Sequence, residues 1–419
     1  MGNKNYIIIG AMGGYISGAP IYYRNKALYM KSKGWNVFCI SCRAGKVYVG
    51  GLEQFIIGTF PILATKAYLF SSFNQEKIIG EIIKCLPILE QDIIIETGTY
   101  YTAYWGELLA QKLKARHLVI YLDEHNVGIR KGQSNFFRFK YEREELACIS
   151  NDAYKDIFLP LFRYVENRAY TVPCYCQNSL EDVVSPVINN VLKTDFTIGY
   201  VGRLEKDAFK TLIDNLCLFA KQNSNKIISL NCFGDYGNKE DEDVLRKRLS
   251  EFSNIQLYIS GFLFPIPKKA IEKCDLCFGS AGSVDVALKA NVATIEINVY
   301  SNMPEGFKEN VIEDGCVVCP NCKTILDYLN VFFIGKYRPK IQDYNLKDET
   351  YEMDKCLREH LLFMDHSLFY KQLYFNFLSI RLSFKEKIAK YGIYLLGYDI
   401  YQILILLRNK IKRFCICNI

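Results

Sequence analysis

Phe196-Thr197-Ile198-Gly199-Tyr200-Val201 runs without a break into Gly202-Arg203-Leu204-Glu205-Lys206, and this junction decides the fold. The first six residues are a short apolar run with β-branched and aromatic side chains, which reads as a buried strand. Phe209–Gln222 behind it carries apolar residues at helical spacing. A strand that ends in glycine and leads to a helix is half of a βαβ unit. Such sheets bind ligands at the carboxyl ends of their strands. Arg203 and Lys206 therefore project where a parallel sheet receives anions. A guanidinium fork with an ammonium nearby suits a diphosphate, both bound and as a leaving group.

The same alternation extends in both directions. Downstream, Ile227–Phe233 is a strand into Gly234, Glu240–Phe252 a charged helix, and Ile255–Ile259 a strand toward Gly261. Asp275–Phe278 leads into Gly279-Ser280-Ala281-Gly282-Ser283, ahead of a helix over Val284–Ala290 and a strand over Ala293–Ile297. Small residues in that loop let backbone approach a ligand, and the helix start offers N–H groups to a phosphate. Gly234, Ser280, Gly282 and Ser283 thus join Arg203 and Lys206 as candidate binding residues. Each piece alone also reads as a tight connection with solvated charges; two of them in one sheet favour an anion site.

Upstream, Tyr6–Ile9 is a strand, Gly10-Ala11-Met12-Gly13-Gly14 a glycine-bearing loop, Ala19–Lys33 a helix stopped by Gly34, and Asn36–Ile40 the next strand. Asp92–Glu96 is a strand ending in Glu96-Thr97-Gly98-Thr99, with a helix over Trp105–Leu113. His117–Leu122 is a strand ending in Asp123-Glu124-His125-Asn126. Between Tyr170 and Lys193 the pattern weakens around Pro173 and Pro186. The expected architecture is α/β, with two doubly wound Rossmann-like domains over 1–190 and 191–360. A helical return and a basic amphipathic tail would follow over 361–419.

Composition sets the limits of function. The 419 residues are 50% hydrophobic and 23% charged, which excludes a disordered chain and fits two cores. Lys and Arg number 52 against 45 Asp and Glu, a net +7 that asks where the charges cluster. The 16 cysteines are scattered through apolar runs, so they read as buried thiols of a reduced, cytoplasmic protein. Lys4 precedes only a short apolar run that stops at Gly10, unlike a secretory leader, and no stretch suits a spanning helix. Cys316-Val317-Val318-Cys319-Pro320-Asn321-Cys322 lacks an evident fourth ligand, and Cys274 and Cys277 on one strand would aim unevenly. These cysteines, like Cys39 and Cys42, read as structural, and no metal site is expected.

The second half resembles the nucleotide-sugar-binding domain of GT-B glycosyltransferases of the family-4 kind. The resemblance rests on Gly202-Arg203-Leu204 with Lys206, Leu212-Ile213 in the helix, Phe233-Gly234, Gly261, and Cys274-Asp275-Leu276-Cys277. Asp285-Val286-Ala287-Leu288-Lys289-Ala290-Asn291-Val292-Ala293-Thr294-Ile295 is similar to the family's helix and strand that follow the donor loop. The first half adds Gly18-Ala19-Pro20 and Gly34-Trp35-Asn36-Val37, so the likeness runs over about 6–330. It implies two Rossmann-like domains facing across a cleft, with a C-terminal helical tail.

The resemblance also implies function. A nucleotide-diphosphate sugar would be the donor substrate, with no further cofactor, held by Arg203, Lys206 and the 279–283 loop. The acceptor, a glycan or lipid-linked glycan, would enter beside Gly13 and Gly14, counted with the binding residues. One of Asp123, Glu124 or His125 would handle the acceptor's proton, and the polar Glu96–Thr99 loop lies at the preceding strand end. The setting implied is cell-surface polysaccharide synthesis. The family's pair of donor-binding glutamates is missing: the second falls on Val286, with Asp285 beside it aimed elsewhere on the helix. That departure leaves a non-catalytic binding or scaffold relative, or a nucleotide-sugar epimerase, as alternatives.

The charge question resolves at the C-terminus. Lys385–Ile419 holds seven basic and two acidic residues, a net +5, leaving the rest of the chain near neutral. Tyr391–Leu407 between the basic ends is apolar and tyrosine-rich, and Asp399, Gln402, Asn409 and Arg413 form one narrow polar stripe at helical spacing. Such a helix reads as lying on an anionic membrane surface, at the inner face of the plasma membrane. The alternative is a terminal helix packed back on the first domain. Nucleic acid is not an expected partner.

Overall fold

The structure is a computed structural model. It describes all residues except 1–3, 88–91, 125–127, 163–169, 299, 310–314, 342–345, 368–372 and 416–419, and gives backbone only for 346–350, 398–399, 402 and 404–415. The chain forms two compact units, one comprising 1–47, 51–175 and 351–419, the other 48–50 and 176–350. The division thus falls after Tyr175 rather than near 190, and the C-terminal segment belongs to the first unit.

The first unit is built on a parallel sheet of β1 (Asn5–Gly10), β2 (Asn36–Ser41), β3 (Ile56–Thr59), β4 (Ile93–Thr97), β5 (Arg116–Tyr121), β6 (Leu146–Cys148) and β7 (Tyr170–Thr171). Their order is β3-β2-β1-β4-β5-β6-β7, so the connection reverses direction between β1 and β4. All six residues of β1 are buried, as the unbroken apolar run requires of a central parallel strand. Helices α1 (Gly18–Ser32), α2 (Ser72–Cys85), α3 (Tyr100–Leu113), α4 (Ser134–Glu142) and α5 (Asn151–Ile157) surround it. Helix α1 stops where Gly34 adopts φ +84, as a glycine after the last helical turn should. Helix α3 begins five residues before Trp105 because Thr99 caps it, its hydroxyl accepting from the Thr102 amide.

In the second unit, β8 (Leu180–Glu181) and α6 (Pro186–Asn190) lead to β9 (Phe196–Val201), α7 (Asp207–Gln222), β10 (Ile228–Phe233), α8 (Lys239–Leu249) and β11 (Ile255–Ile259). Then come β12 (Ile266–Pro267), α9 (Lys268–Ile271), β13 (Leu276–Gly279), α10 (Val284–Lys289), β14 (Ala293–Ile297), β15 (Pro304–Lys308) and α11 (Ile325–Leu329). The sheet order is β11-β10-β9-β13-β14-β15, with β8 and β12 pairing separately. Only β15 runs antiparallel to its neighbour in this sheet. The reversal here lies between β9 and β13, with Val201 opposite Gly279. Cys274 precedes β13 rather than lying on it, and both Cys274 and Cys277 pack on Gly199. A Cβ on Gly199 would come within 2.9 and 2.5 Å of their sulfurs. The unevenness expected of them is therefore corrected.

Helices α12 (Leu346–His366) and α13 (Phe384–Cys415) close the chain. Phe375, Ile380 and Ile393 are buried in the same core as Ile7, Ile9 and Trp105, so this segment packs on the first unit. Helix α13 is interrupted at Gly397, where φ is +77. The stripe residues Asp399, Gln402, Asn409 and Arg413 lie where side chains are outside the described residues. Among the described residues, no helix is long and apolar enough to cross a membrane.

Candidate functional site

The reversal between β9 and β13 places two loops side by side at the carboxyl edge of the second sheet. Gly202, at φ +142, takes the chain out of β9 in a conformation that favours glycine. The loop after β10 presses on it: a Cβ on Gly234 would collide with the Gly202 carbonyl oxygen and lie 2.8 Å from its carbon. Gly234 therefore serves to pack two loops together. Arg203 extends from this junction, its side chain 39% exposed and 3.0 Å from the Glu205 carboxylate. Lys206 is the N-cap of α7, where no side chain caps the helix. A cation at the positive end of a helix opposes local stability and adds to the potential an anion feels.

From β13 the chain passes through Ser280 into a 3₁₀ turn over Ala281–Ser283 before α10. Ala281 sits at φ +51, a left-handed conformation costing a non-glycine residue about 1 kcal/mol. The two serines differ sharply. The Ser283 hydroxyl donates to the Ser280 carbonyl (2.7 Å) and accepts from the Ser280 amide (3.0 Å), so it is committed to the turn. The Ser283 amide donates to that same carbonyl at 3.3 Å. The Ser280 hydroxyl is buried and has no hydrogen-bond partner among the described residues. Gly282 lies against Gln177, a Cβ there coming to 3.3 Å of its Cγ.

Behind the loop is an ionic cluster that no local sequence signal marks. The Gln177 amide donates to Asp285 Oδ2 at 2.6 Å, and Lys289 Nζ donates to Gln177 Oε1 at 2.9 Å. Lys308 Nζ lies 3.3 Å from Asp285 and 3.5 Å from Glu296. Burial raises the Asp285 carboxyl against the pull of Lys308. Burial opposes the charge of Lys308, but Asp285 and Glu296 outweigh it and hold the ammonium protonated. Val286, where the family has its second glutamate, is fully buried. Glu296, Glu305 and Cys316 each place a ligand atom within 4.8 Å of the others. Lys308 already supplies that group with a cation, and Cys316, pushed up to about 12 by burial and Glu296, remains a thiol.

The reversal point of the first sheet is arranged differently. Gly10 and Gly98 flank it at the ends of β1 and β4, and the Tyr23 ring from α1 fills the space between them. A Cβ on either glycine would collide with the phenol oxygen. That hydroxyl is buried without a partner among the described residues. Gly13 and Gly14 do not border this crevice through free backbone. A Cβ on Gly13 would come to 2.8 Å of the Gly45 oxygen, and the Gly14 amide donates to the Lys46 carbonyl at 2.8 Å. Their small size is used in packing on the loop after β2.

Of the acceptor-side candidates, Asp123 stands at the carboxyl end of β5. Burial pushes its carboxyl up to about 6, the Tyr121 hydroxyl pulling the other way. Glu124 is exposed, and His125 lies outside the described residues. The Glu96–Thr99 loop is not available as a polar edge. Glu96 is fully buried, accepting from the Tyr6 hydroxyl and from Tyr22 at 2.6 Å, with Lys26 at 3.6 Å. Thr97, His117 and Glu107 resemble a hydroxyl–base–acid relay, with 2.9 Å between Thr97 Oγ1 and His117 Nε2 and 2.9 Å between His117 Nδ1 and Glu107. All three are buried, and the Phe375 amide donates to Glu107 at 2.9 Å, so this network joins the C-terminal segment to the core.

No protein-family model matches the chain, and no curated protein sequence does. Solved structures do resemble it. A glycosyltransferase from Rickettsia africae superposes with a TM-score of 0.58 at 13% identity, over 87% of this chain and 98% of that one. Anabaena HepE, in complex with UDP and glucose, gives 0.52 at 12%, over 92% and 99%. The lipopolysaccharide outer core galactosyltransferase WaaB gives 0.51 at 14%, over 86% and 99%. Two units on doubly wound sheets, with this likeness over nearly the whole chain, give the protein the GT-B fold found among glycosyltransferases.

Proposed function

We propose that the protein is a glycosyltransferase that moves a sugar from a nucleoside-diphosphate donor to a hydroxyl of a glycan or lipid-linked glycan. The observation that carries this reading is the pair of loops at the reversal point of the second sheet, with Arg203 on one and the buried, unpartnered Ser280 hydroxyl on the other. A diphosphate there would gain a guanidinium, the Lys206 ammonium at the start of α7, and the missing partner for Ser280. HepE, described with UDP and glucose, makes uridine diphosphate the first nucleotide to test. WaaB, a lipopolysaccharide galactosyltransferase by its description, supports a role in cell-surface polysaccharide synthesis. A cytoplasmic enzyme at the inner face of the membrane fits that role.

In the reaction, the bond from the anomeric carbon to the diphosphate oxygen breaks and a bond to the acceptor oxygen forms. Arg203 and Lys206 take up the charge growing on the leaving group. Asp123 is the best base for the acceptor proton, because a carboxylate near 6 is ionised at neutral pH yet more basic than an ordinary one. A second reading, a non-catalytic donor-binding relative, is favoured by Val286 and by the engagement of Asp285 with Gln177 and Lys308. Release of nucleoside diphosphate from a panel of sugar donors, with a membrane extract as acceptor, separates them. Acceptor-dependent turnover supports transfer, and nucleotide binding with no turnover supports the relative. Products formed without acceptor would instead mark a nucleotide-sugar epimerase.

A further inference from the structure

We propose that the face of α13 formed by Phe384, Ile388, Tyr391 and Leu395 is a docking surface for an anionic lipid bilayer. These residues follow each other at intervals of four, three and four, so they share one stripe of the helix. They are 77%, 57%, 64% and 63% exposed. The opposite face is fixed to the first unit. Ile393 is buried in its core, and Glu386 accepts from Lys66 at 2.7 Å, Tyr68 at 3.0 Å and Gln133 at 2.9 Å. Helix 384–396 is therefore not a loose tail whose apolar residues could fold under. Its inward face is held by a buried carboxylate, and its outward face is held in water.

The charges around the stripe name the occupant. Lys385 and Lys387 flank it on opposite sides, with Lys390 beside Lys387, and Glu386 is turned inward to Lys66. Long basic side chains beside an apolar stripe reach headgroup phosphates while the stripe enters the acyl boundary. A second copy of the chain docked on this face would bring these lysines against their equivalents, at a cost in repulsion. The basic excess continues past Gly397, with a net +5 over 385–419. Among the described residues no helix is long and apolar enough to cross a bilayer, and the contact proposed for this stripe is with the bilayer surface. The apolar stretch expected to face the membrane is Tyr391–Leu407 between its basic ends; the docking stripe instead runs from Phe384 to Leu395, all of it before Gly397. This inference deepens the membrane-side part of the proposed function, but vesicle binding needs no donor or turnover and so stands or falls separately.

The test is flotation of the full chain with vesicles of phosphatidylcholine, with and without about a third phosphatidylglycerol. The native protein should float with the anionic vesicles at low salt and be released by high salt. The Ile388→Ser, Tyr391→Ser, Leu395→Ser triple variant should keep its Tm and nucleotide affinity and lose vesicle partitioning by about tenfold or more. Lys385→Gln with Lys387→Gln and Lys390→Gln should weaken the preference for anionic lipid, the basic residues past Gly397 keeping the remainder. Failure of the native protein to float at low salt, or a triple variant that floats undiminished, would overturn the proposal. So would a dimer in light scattering that the triple variant converts to monomer, since the face would then belong to a second copy.

Discussion

Replacing Ser280 by alanine should raise stability and lower ligand affinity together. The Ser280 hydroxyl is buried with no partner among the described residues, while Ser283, three residues on, makes two bonds of 2.7 and 3.0 Å to the Ser280 backbone. A buried hydroxyl without a partner costs about 1–3 kcal/mol. Removing it and leaving the small void of one oxygen should return about 1 kcal/mol, or about 2–4 °C in Tm for a unit of this size. If the hydroxyl donates to a diphosphate oxygen, its loss should weaken nucleoside diphosphate binding by about 1.5–3 kcal/mol, roughly 10- to 100-fold. Ser283→Ala should do the reverse. It strands the Ser280 amide, lowers stability by about 1–3 kcal/mol, and disturbs affinity only through the turn. Thermal melts and titration calorimetry on the two variants read all four quantities. If Ser280→Ala lowers the Tm and leaves affinity unchanged, the hydroxyl is a structural group and the donor site is misplaced.

Gly234→Ala should be severe and Gly282→Ala mild. The first sets a methyl against the Gly202 backbone and must push the Arg203 loop away, at or above the about 1–3 kcal/mol typical of overpacking. The second meets Gln177 Cγ at 3.3 Å and its Cα at 3.9 Å, a contact relieved by a shift of a few tenths of an ångström and without the backbone collision of Gly234. Equal melting temperatures for the two would refute the packing role given to Gly234. For Asp123, the rate of transfer should rise with pH through about 6 as the carboxylate forms, and Asp123→Asn should lose that limb with about 100-fold or more of the activity. The stability sign is opposite: its folded pKa lies above the ordinary 3.8, so the ionised group burdens the fold at neutral pH. The Asn variant should therefore be no less stable at pH 7.5. A pH profile unchanged in Asp123→Asn would remove it as the base.

Much of the architecture is legible because parallel strands buried on both faces read as unbroken apolar runs. Phe196–Val201 matches β9 residue for residue, and Ile255–Ile259 matches the half-buried edge strand β11 through its β-branched and aromatic residues. Strands β6 and β7 escape notice because three and two residues are too few to show a pattern. Strand β15 begins at Pro304 and carries Gly306, both poor strand signals, and is held at the edge by pairing with β14. The site is legible where chemistry follows directly on a strand, as with Arg203 after β9. It is hidden where partners lie far apart in the chain: Gln177 and Asp285 are 108 residues apart, and nothing local marks either. Tyr23 is hidden for another reason. An aromatic residue in the second turn of a helix reads as core, and only the two glycines packed around it reveal that it fills the crevice between β1 and β4.

In the proposed function, the reversal point of the second sheet, with Arg203 on one loop and Ser280 on the other, binds the diphosphate of a sugar donor. Calorimetric titration of the native protein and Arg203→Ala with nucleoside diphosphates and the matching monophosphates tests it most directly. Saturable binding of a diphosphate is expected, with weaker binding of its monophosphate and a loss of about tenfold or more in Arg203→Ala at unchanged Tm. Diphosphate binding that is absent, or undiminished in Arg203→Ala, would contradict it.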